Sequence, residues 1–428
     1  MHKVGRLARS VSIVGVGCTP FTNFEDHPET KGMSEGEAFG YAALEAIADA
    51  GLEPRDIEYF YHGSANPFMI GDSLTPNMQV AEWFGTRGIG SVHHSEACCT
   101  GYVSLQEAAA AVASGEFDIV LSGAVDLAAS LPVVGAPGHC RRDFPLEEML
   151  PSIPMVYDRA YGRPLDSAFG ISFDNWINEY RWTYGLSEAD IDNALNALSK
   201  NLRRAAVLNP LAFYDQDFDQ VAAANGMPDA DTFLTSMFNP KVTQYLRVTG
   251  FETKCDGAAA IVVMPTEMAV ARGYDHAIID VLGTGSAAFE GATLANEKAG
   301  TKRGYEQVKE LTGVSGDECD LFMVNDFFLA SEIVAAEECG YIPRGEAWKY
   351  AIEGRCAFDG DRPINPHGGR CNFGHAHGAS GIADIYEAVK QMRGEAGATQ
   401  MKQVPKTTML RGFGGGQNVR VQVIRTHE

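Results

Sequence analysis

The chain has 428 residues, 45% hydrophobic and 21% charged, the profile of a globular protein long for a single core. Its net charge of -22 argues against broad nucleic-acid or anionic-membrane binding, and no run of about 18 uncharged apolar residues offers a membrane span. Nine cysteines without a regular framework favour thiols in a reducing cytoplasm over disulfides.

The basic start MHKVGRLARS leads into SVSIVGVG, which reads as a strand rather than an export signal. A helix over roughly 35–50 follows, with Ala43, Ile47 and Ala50 on one face. GLEPRD is a turn, and IEYFYHGS is a strand running into a loop, with His62 near its end. SEACCTG then places Cys98 and Cys99 ahead of GYVSLQEAAAAVASG, a helix with Leu105, Ala108, Ala109 and Val112 at helical spacing and a stop at Gly115. DIVLSGAVD is the next strand. Residues of about 125–250 interrupt this half; they carry much of the Trp, Tyr and Pro and read as a lid or substrate-covering insertion.

The second half repeats the first. HAIIDVLGTG is strand-like, YEQVKELTG is helical, and DLFMVNDFF is an apolar strand ending at Asn325. Tyr41 to Asp56 has the spacing of Tyr305 to Asp320. ASGIADIYEAVKQMRG carries Ile382, Ile385, Tyr386 and Val389 and stops at Gly394, before the strand and glycines of TTMLRGFGGG. The offset that carries Leu105 onto Ile382 also carries Gly101 onto Gly378 and Cys98 onto His375. We therefore divide the chain into an N-terminal half, 1–272, which includes the insertion, and a C-terminal half, 273–428. Two similar α/β halves imply a pseudo-two-fold axis, with the loops after equivalent strands facing each other. That arrangement would bring Cys98, His62, Asn325 and His375 towards one pocket.

A cysteine at a strand-to-helix turn sits at the positive end of a helix dipole, which lowers its pKa from about 8.5 and favours attack on a thioester or ketone carbon. The other cysteines read as buried structural thiols. His375 lies in the glycine-rich GHAHGASG, where backbone can approach a ligand and an imidazole can take the thiol proton or donate to an oxyanion. Asn325 can position a water or donate a hydrogen bond, or it can simply cap a turn; both readings stay open. His93, His94, His367, Cys371, His375 and His377 are dense enough to raise a zinc reading. No paired CxxC is present and the glycine-rich turns suit ligand approach better, so no metal is expected. An anionic ligand would need basic islands, and the candidates are Arg141, Arg142, Lys200, Arg203 and Arg204, each of which reads equally well as a solvated surface cation.

These residues resemble the thiolase superfamily over nearly the whole chain. CCTG fits the nucleophile pattern Cys-x-Ser/Thr-Gly, NDFFLASEIVAAEECGY resembles the His-Asp-Cys-Phe or Asn-Glu-Ala-Phe segment, and GFGGG resembles the final glycine loop. NPHGGRCNFGHAHGASG resembles the family's most specific motif, built around Gly-His-Pro-x-Gly. The insertion stretch EYRWTYGLSEADIDNALNALSKNLRRAAVLNPLAFY is similar to sterol-carrier-protein-type and archaeal thiolases. The resemblance implies a layered α-β-α-β-α fold and a dimer core. It also implies, in some relatives, a separately encoded zinc-ribbon and oligonucleotide-fold (OB-fold) subunit. Coenzyme A would be a substrate, with no bound cofactor.

The implied reaction is thiolysis of a 3-oxoacyl-CoA through an acyl-cysteine on Cys98, or the reverse Claisen condensation. His375 and Asn325 would hold the enolate oxygen, and the backbone N–H groups of Cys98 and Gly414 would form a second oxyanion site. The family's second, acid/base cysteine is missing: Phe327 and Gly412 stand in its places, leaving Cys371 and His377 as candidates. Ala376 replaces the motif's proline. Phe327, Phe328 and Phe373 point to room for, or packing against, a bulky or aromatic acyl group, as in benzoylsuccinyl-CoA. The rival readings are a thiolase-like retro-aldol lyase working with a partner subunit, and a non-catalytic acyl-CoA-binding scaffold.

Overall fold

The computed structural model describes residues 9–65, 76–86, 88–129, 165–288, 294–414 and 418–428. Arg141, Arg142 and the 130–164 stretch of the insertion lie outside them. The first half runs β1 (Val11–Cys18), α1 (Glu35–Asp49), β2 (Tyr59–Gly63), β3 (Gly90–His94), α2 (Thr100–Ser114) and β4 (Val120–Leu127). The insertion supplies α3 (Leu165–Tyr184) and α4 (Glu188–Leu208) before β5 (Asp256–Pro265) closes the half. The second half runs β6 (Ile279–Ala288), α5 (Leu294–Thr312), β7 (Leu321–Val324), α6 (Ala330–Glu338), α7 (Ala379–Arg393), β8 (Thr407–Gly414) and β9 (Asn418–Thr426).

In the strand order β3-β2-β4-β5-β1-β6-β9-β8-β7, the run β1-β5-β4-β2 outwards from the β1–β6 seam is matched by β6-β9-β8-β7, which is the repeat made visible, and β3 adds an edge strand to the first half. β2 and β4 run parallel, as do β7 and β8, while β5 and β9 are antiparallel to both their neighbours. β1 and β6 pair at Ser12 with Asp280 and Ile13 with Ile279 alone, so the half-sheets join along a short seam.

Strand alternation sorts the core into layers. On β5, Ala258, Ala260, Val262 and Met264 face α1 through Phe39, Ala42, Ala43 and Ala46. Ala259, Ile261 and Val263 face inwards, where they share a core with α2, α7 and the inner residues Met323, Leu410 and Ile424 of the second half. The outer face of the second half, with Phe322, Val324, Met409, Val421 and Val423, is covered by Val308 of α5 and by α6. The result is five layers, α-β-α-β-α.

The paired helices α2 and α7 are each 15 residues long, and each stops at a glycine in the left-handed region, Gly115 and Gly394. The offset that superposes their apolar faces does not superpose their ends: α7 begins two residues later, after a loop in which His377 has a φ of 22°. The described part of the insertion belongs spatially to the opposite half. Trp176, Ile177, Tyr180, Ile191 and Leu195 pack with Ile333 and Val334 of α6. The insertion also braces the loop that carries His375: Phe213 N–H donates to the Phe373 carbonyl at 2.8 Å, and Arg203 Nε donates to Asn372 Oδ1 at 2.8 Å.

Candidate functional site

The site starts at the turn into α2. Ala97 is left-handed, with a φ of 49°. Thr100 Oγ1 closes the turn by accepting from Glu96 N–H at 2.9 Å and donating to the Ala97 carbonyl at 2.6 Å. The two neighbouring cysteines part company there. Cys99 is fully buried in the central core, whereas Cys98 alone, of the eight cysteines among the described residues, is not buried.

His375 Nε2 lies 3.3 Å from Cys98 Sγ, and His375 Nδ1 lies 3.0 Å from Ser380 Oγ. The Ser380 contact fixes the ring's orientation. The backbone around His375 is zipped to the segment before β5: its N–H donates to the Thr253 carbonyl at 2.7 Å, and Cys255 N–H donates to the His375 carbonyl at 3.3 Å. The same segment delivers a third group, since Glu252 Oε2 lies 3.3 Å from His375 Nε2. One imidazole nitrogen therefore faces both a thiol and a carboxylate. Asp126 steadies the loop by accepting from Gly378 N–H at 2.7 Å and from Ala65 N–H at 3.0 Å.

The electrostatics correct the expectation of a dipole-lowered thiol. Desolvation pushes the Cys98 thiol well up, and the Glu252 charge adds to this, so the resting sulfur is protonated. Burial, assisted by His377, Arg370 and Lys254, holds His375 well below the ordinary imidazole range. A neutral imidazole next to a thiol can accept its proton; an imidazolium could not.

Gly414 lies against the turn: a Cβ there would sit 2.7 Å from the Glu96 carbonyl and 3.2 Å from Cys99 Cβ. Asn325 is fully buried and is engaged by backbone on both sides. Its Nδ2 donates to the Phe413 carbonyl at 2.7 Å, and its Oδ1 accepts from Phe327 N–H at 3.3 Å. It thus ties the end of β7 to the residue before Gly414. His377 packs edge-on to His375, with ring centroids 5.1 Å apart, and burial lowers its pKa to about 4. Cys371 is buried and donates its thiol to the Asp326 carbonyl at 3.3 Å.

Other expected residues stand apart. His62 does not join the pocket: Phe60 and His62 share the outer face of β2, and the His62 ring meets Phe39 edge-on at 4.9 Å. Arg203 is buried, stacked 3.4 Å from the Tyr214 ring centroid and bonded to Asn372 and the Gln216 carbonyl. Lys200 pairs with Asp231 at 2.6 Å, and Arg204 pairs with Asp359. The phenylalanines satisfy one another. Phe327 stacks on Phe413 at 5.2 Å, Phe328 meets Phe251 at 4.9 Å, and Phe373 meets Phe21 at 4.8 Å. They belong to the core and carry no argument for an aromatic substrate.

Sequence reasoning missed Glu252, Ser380 and Asp126. Ser380 sits five residues after His375, a spacing that could have been tested. Glu252 and Asp126 reach the site only through tertiary structure.

Among the described residues no helix is long and apolar enough to cross a membrane. A family model described as "Thiolase C-terminal domain-like" matches residues 286–426. An acetyl-CoA acetyltransferase of Methanothermobacter thermautotrophicus is 26% identical, over 96% of this chain and 99% of its own. The benzoylsuccinyl-CoA thiolase subunit BbsB of Thauera aromatica is 24% identical, over 97% of each chain. Among solved structures, the Ltp2-ChsH2(DUF35) aldolase aligns with a TM-score of 0.72 at 20% identity, covering 98% of each chain. An acetyl-CoA acetyltransferase from Syntrophomonas wolfei aligns with a TM-score of 0.68 at 16% identity, covering 98% of this chain and 99% of its own. With its mirrored half-sheets and central helix pair, the chain has a thiolase-like fold, carries a thiolase C-terminal domain-like segment over residues 286–426, and is similar along its length to relatives of the thiolase superfamily.

Proposed function

We propose that this chain is an acyltransferase of the thiolase type, cleaving a 3-oxoacyl-CoA with CoA or running the reverse condensation. The observation that carries this reading is the 3.3 Å approach of His375 Nε2 to Cys98 Sγ. Cys98, deprotonated, attacks the keto carbon; the shorter acyl-CoA leaves as its enolate, and the acyl group stays on sulfur until CoA removes it. His375 takes the thiol proton and donates to the thioester oxygen. The N–H groups of Cys98 and Gly414 are the donors for the second oxyanion, each worth about 3 kcal/mol at the transition state. Asn325 acts by holding the β7 and β8 ends, and with them Gly414, in register. Relatives named acetyl-CoA acetyltransferase and thiolase subunit support the reading.

The same proposal includes a homodimer core and a separately encoded small subunit. Support for the latter comes from one relative named as a subunit and from an aldolase structure named for two components. That aldolase is also the basis of the alternative reading, retro-aldol cleavage of a CoA ester. Free cysteines among the described residues accord with a cytoplasmic setting.

The test is thiolysis of short, branched and aromatic 3-oxoacyl-CoAs by the purified chain, with and without co-purifying small subunits. Mass spectrometry would follow acylation of Cys98. Cys98→Ala should abolish both cleavage and the adduct. Unimpaired cleavage by Cys98→Ala would overturn the nucleophile assignment, and cleavage with no adduct in the unmodified chain would favour the aldol alternative.

A further inference from the structure

The thiolase reading leaves one proton without a carrier: the enolate must be protonated at C2, and CoA must then lose its thiol proton. We infer that Glu252 carries it, as the second acid/base of the site. The inference rests on the acyl-transfer reading and adds to it the group that replaces the missing second cysteine.

Three observations carry the assignment. Glu252 Oε2 lies 3.3 Å from the same His375 Nε2 that faces Cys98. The Glu252 side chain is 21% exposed, whereas the Cys371 thiol is buried; His377 is half-buried like Glu252, but its ring is packed edge-on against His375 and its pKa is lowered to about 4. Its backbone is fixed by the Glu252 N–H bond to the Phe327 carbonyl at 2.9 Å, which holds it alongside the segment after β7. The Cys371 thiol, by contrast, is turned to the Asp326 carbonyl.

The proton balance closes. The bare Nε2 of the neutral His375 takes the Cys98 thiol proton and hands that same proton on to the Glu252 carboxylate, leaving a thiolate, a neutral imidazole and a carboxylic acid. The thiolate attacks C3, the C2–C3 bond breaks, and its electron pair enters the thioester enolate. Glu252 protonates C2 and returns to carboxylate. The incoming CoA thiol gives its proton to Glu252, and CoA sulfur attacks the acyl carbon. The bond to Cys98 breaks, and the proton travels back through His375 to Cys98.

The experiment compares the unmodified chain with Glu252→Gln and Glu252→Asp, together with any co-purifying subunit. It measures thiolysis, deuterium uptake at C2 of acetyl-CoA in D2O, alkylation of Cys98 by iodoacetamide, and Tm. Glu252→Gln should lose about 10²–10⁴-fold in both kcat and C2 exchange. Tm should hold, and Cys98 should still alkylate stoichiometrically. Glu252→Asp should recover part of the exchange, because a carboxylate is restored at shorter reach. Exchange and kcat within threefold of the unmodified chain in Glu252→Gln would overturn the assignment. If Gln lowers Tm, the Asp variant decides: exchange no better than that of Gln at a restored Tm also overturns it. Failure of the unmodified chain to acylate Cys98 would instead sink the acyl-transfer reading.

Discussion

Ala97 is among the smaller residues of the site and the most informative about its construction. A left-handed L-residue costs about 1–2 kcal/mol, and this one persists because Thr100 clamps the carbonyl before Cys98 and the N–H before that. The turn aims Cys98 out of the core and Cys99 into it. Ala97→Gly relieves the strain, so it should leave Tm unchanged or slightly higher and preserve the rate of Cys98 alkylation. Ala97→Val adds a β-branch where φ is positive; it should cost about 1–2 kcal/mol more and slow alkylation. Thermal melts and iodoacetamide kinetics on the two variants check this, and an unchanged Ala97→Val would show that the turn is not strained. The sequence makes the nucleophile legible because a turn before a helix is a local feature. It hides Glu252, because a glutamate in a loop before a strand looks like any solvated charge until His375 is folded onto it.

At the scale of elements, the site depends on how closely α2 approaches α7. A Cβ on Gly101 would lie 2.4 Å from Ile382 N and 2.7 Å from Gly381 Cα, both backbone atoms that cannot turn aside. Gly101→Ala should therefore force the helices apart, costing about 1–3 kcal/mol and widening the gap between Cys98 and His375. Urea unfolding reads the first effect, and a fall in kcat larger than the rise in KM reads the second. A fully stable and active Gly101→Ala would mean that the helices are not this close. The two helices and the strands that follow them, β4 and β8, are legible from periodicity and apolar content, since each helix has an apolar face at the right interval. β3 is not: GSVHH carries two histidines on a partly exposed edge strand and lacks any alternation. The destination of the insertion is equally hidden, because the apolar stripe on α4 records that the helix packs but not against which half.

Across the whole molecule, the halves meet through buried charge as well as through apolar surface. Tyr102 of α2 donates to Asp384 of α7, and Arg370 grips the same carboxylate at 2.6 Å with both terminal nitrogens. Although burial alone would raise it, Arg370 and His367 hold the Asp384 carboxyl below its ordinary range. A second acidic pair lies beside this network. Burial and the neighbouring Asp326 push Glu332 well up, and burial raises Asp326 to about 6. Glu332 therefore stays protonated in the folded chain over the range where a free glutamate ionises, while its Oε1 accepts from Asn365 Nδ2 at 3.1 Å. In the unfolded chain Glu332 titrates near 4.3. From about pH 5 upwards the folded chain thus holds a proton that the unfolded chain has released, and stability falls as pH rises through that window. Glu332→Gln should remove the slope, because a carboxamide can still accept from Asn365 and can donate permanently to Asp326. The variant should match the unmodified chain near pH 5 and be the more stable of the two at pH 8. Urea unfolding at the two pH values measures the difference, and equal slopes in the two proteins would mean that Glu332 is already ionised when folded.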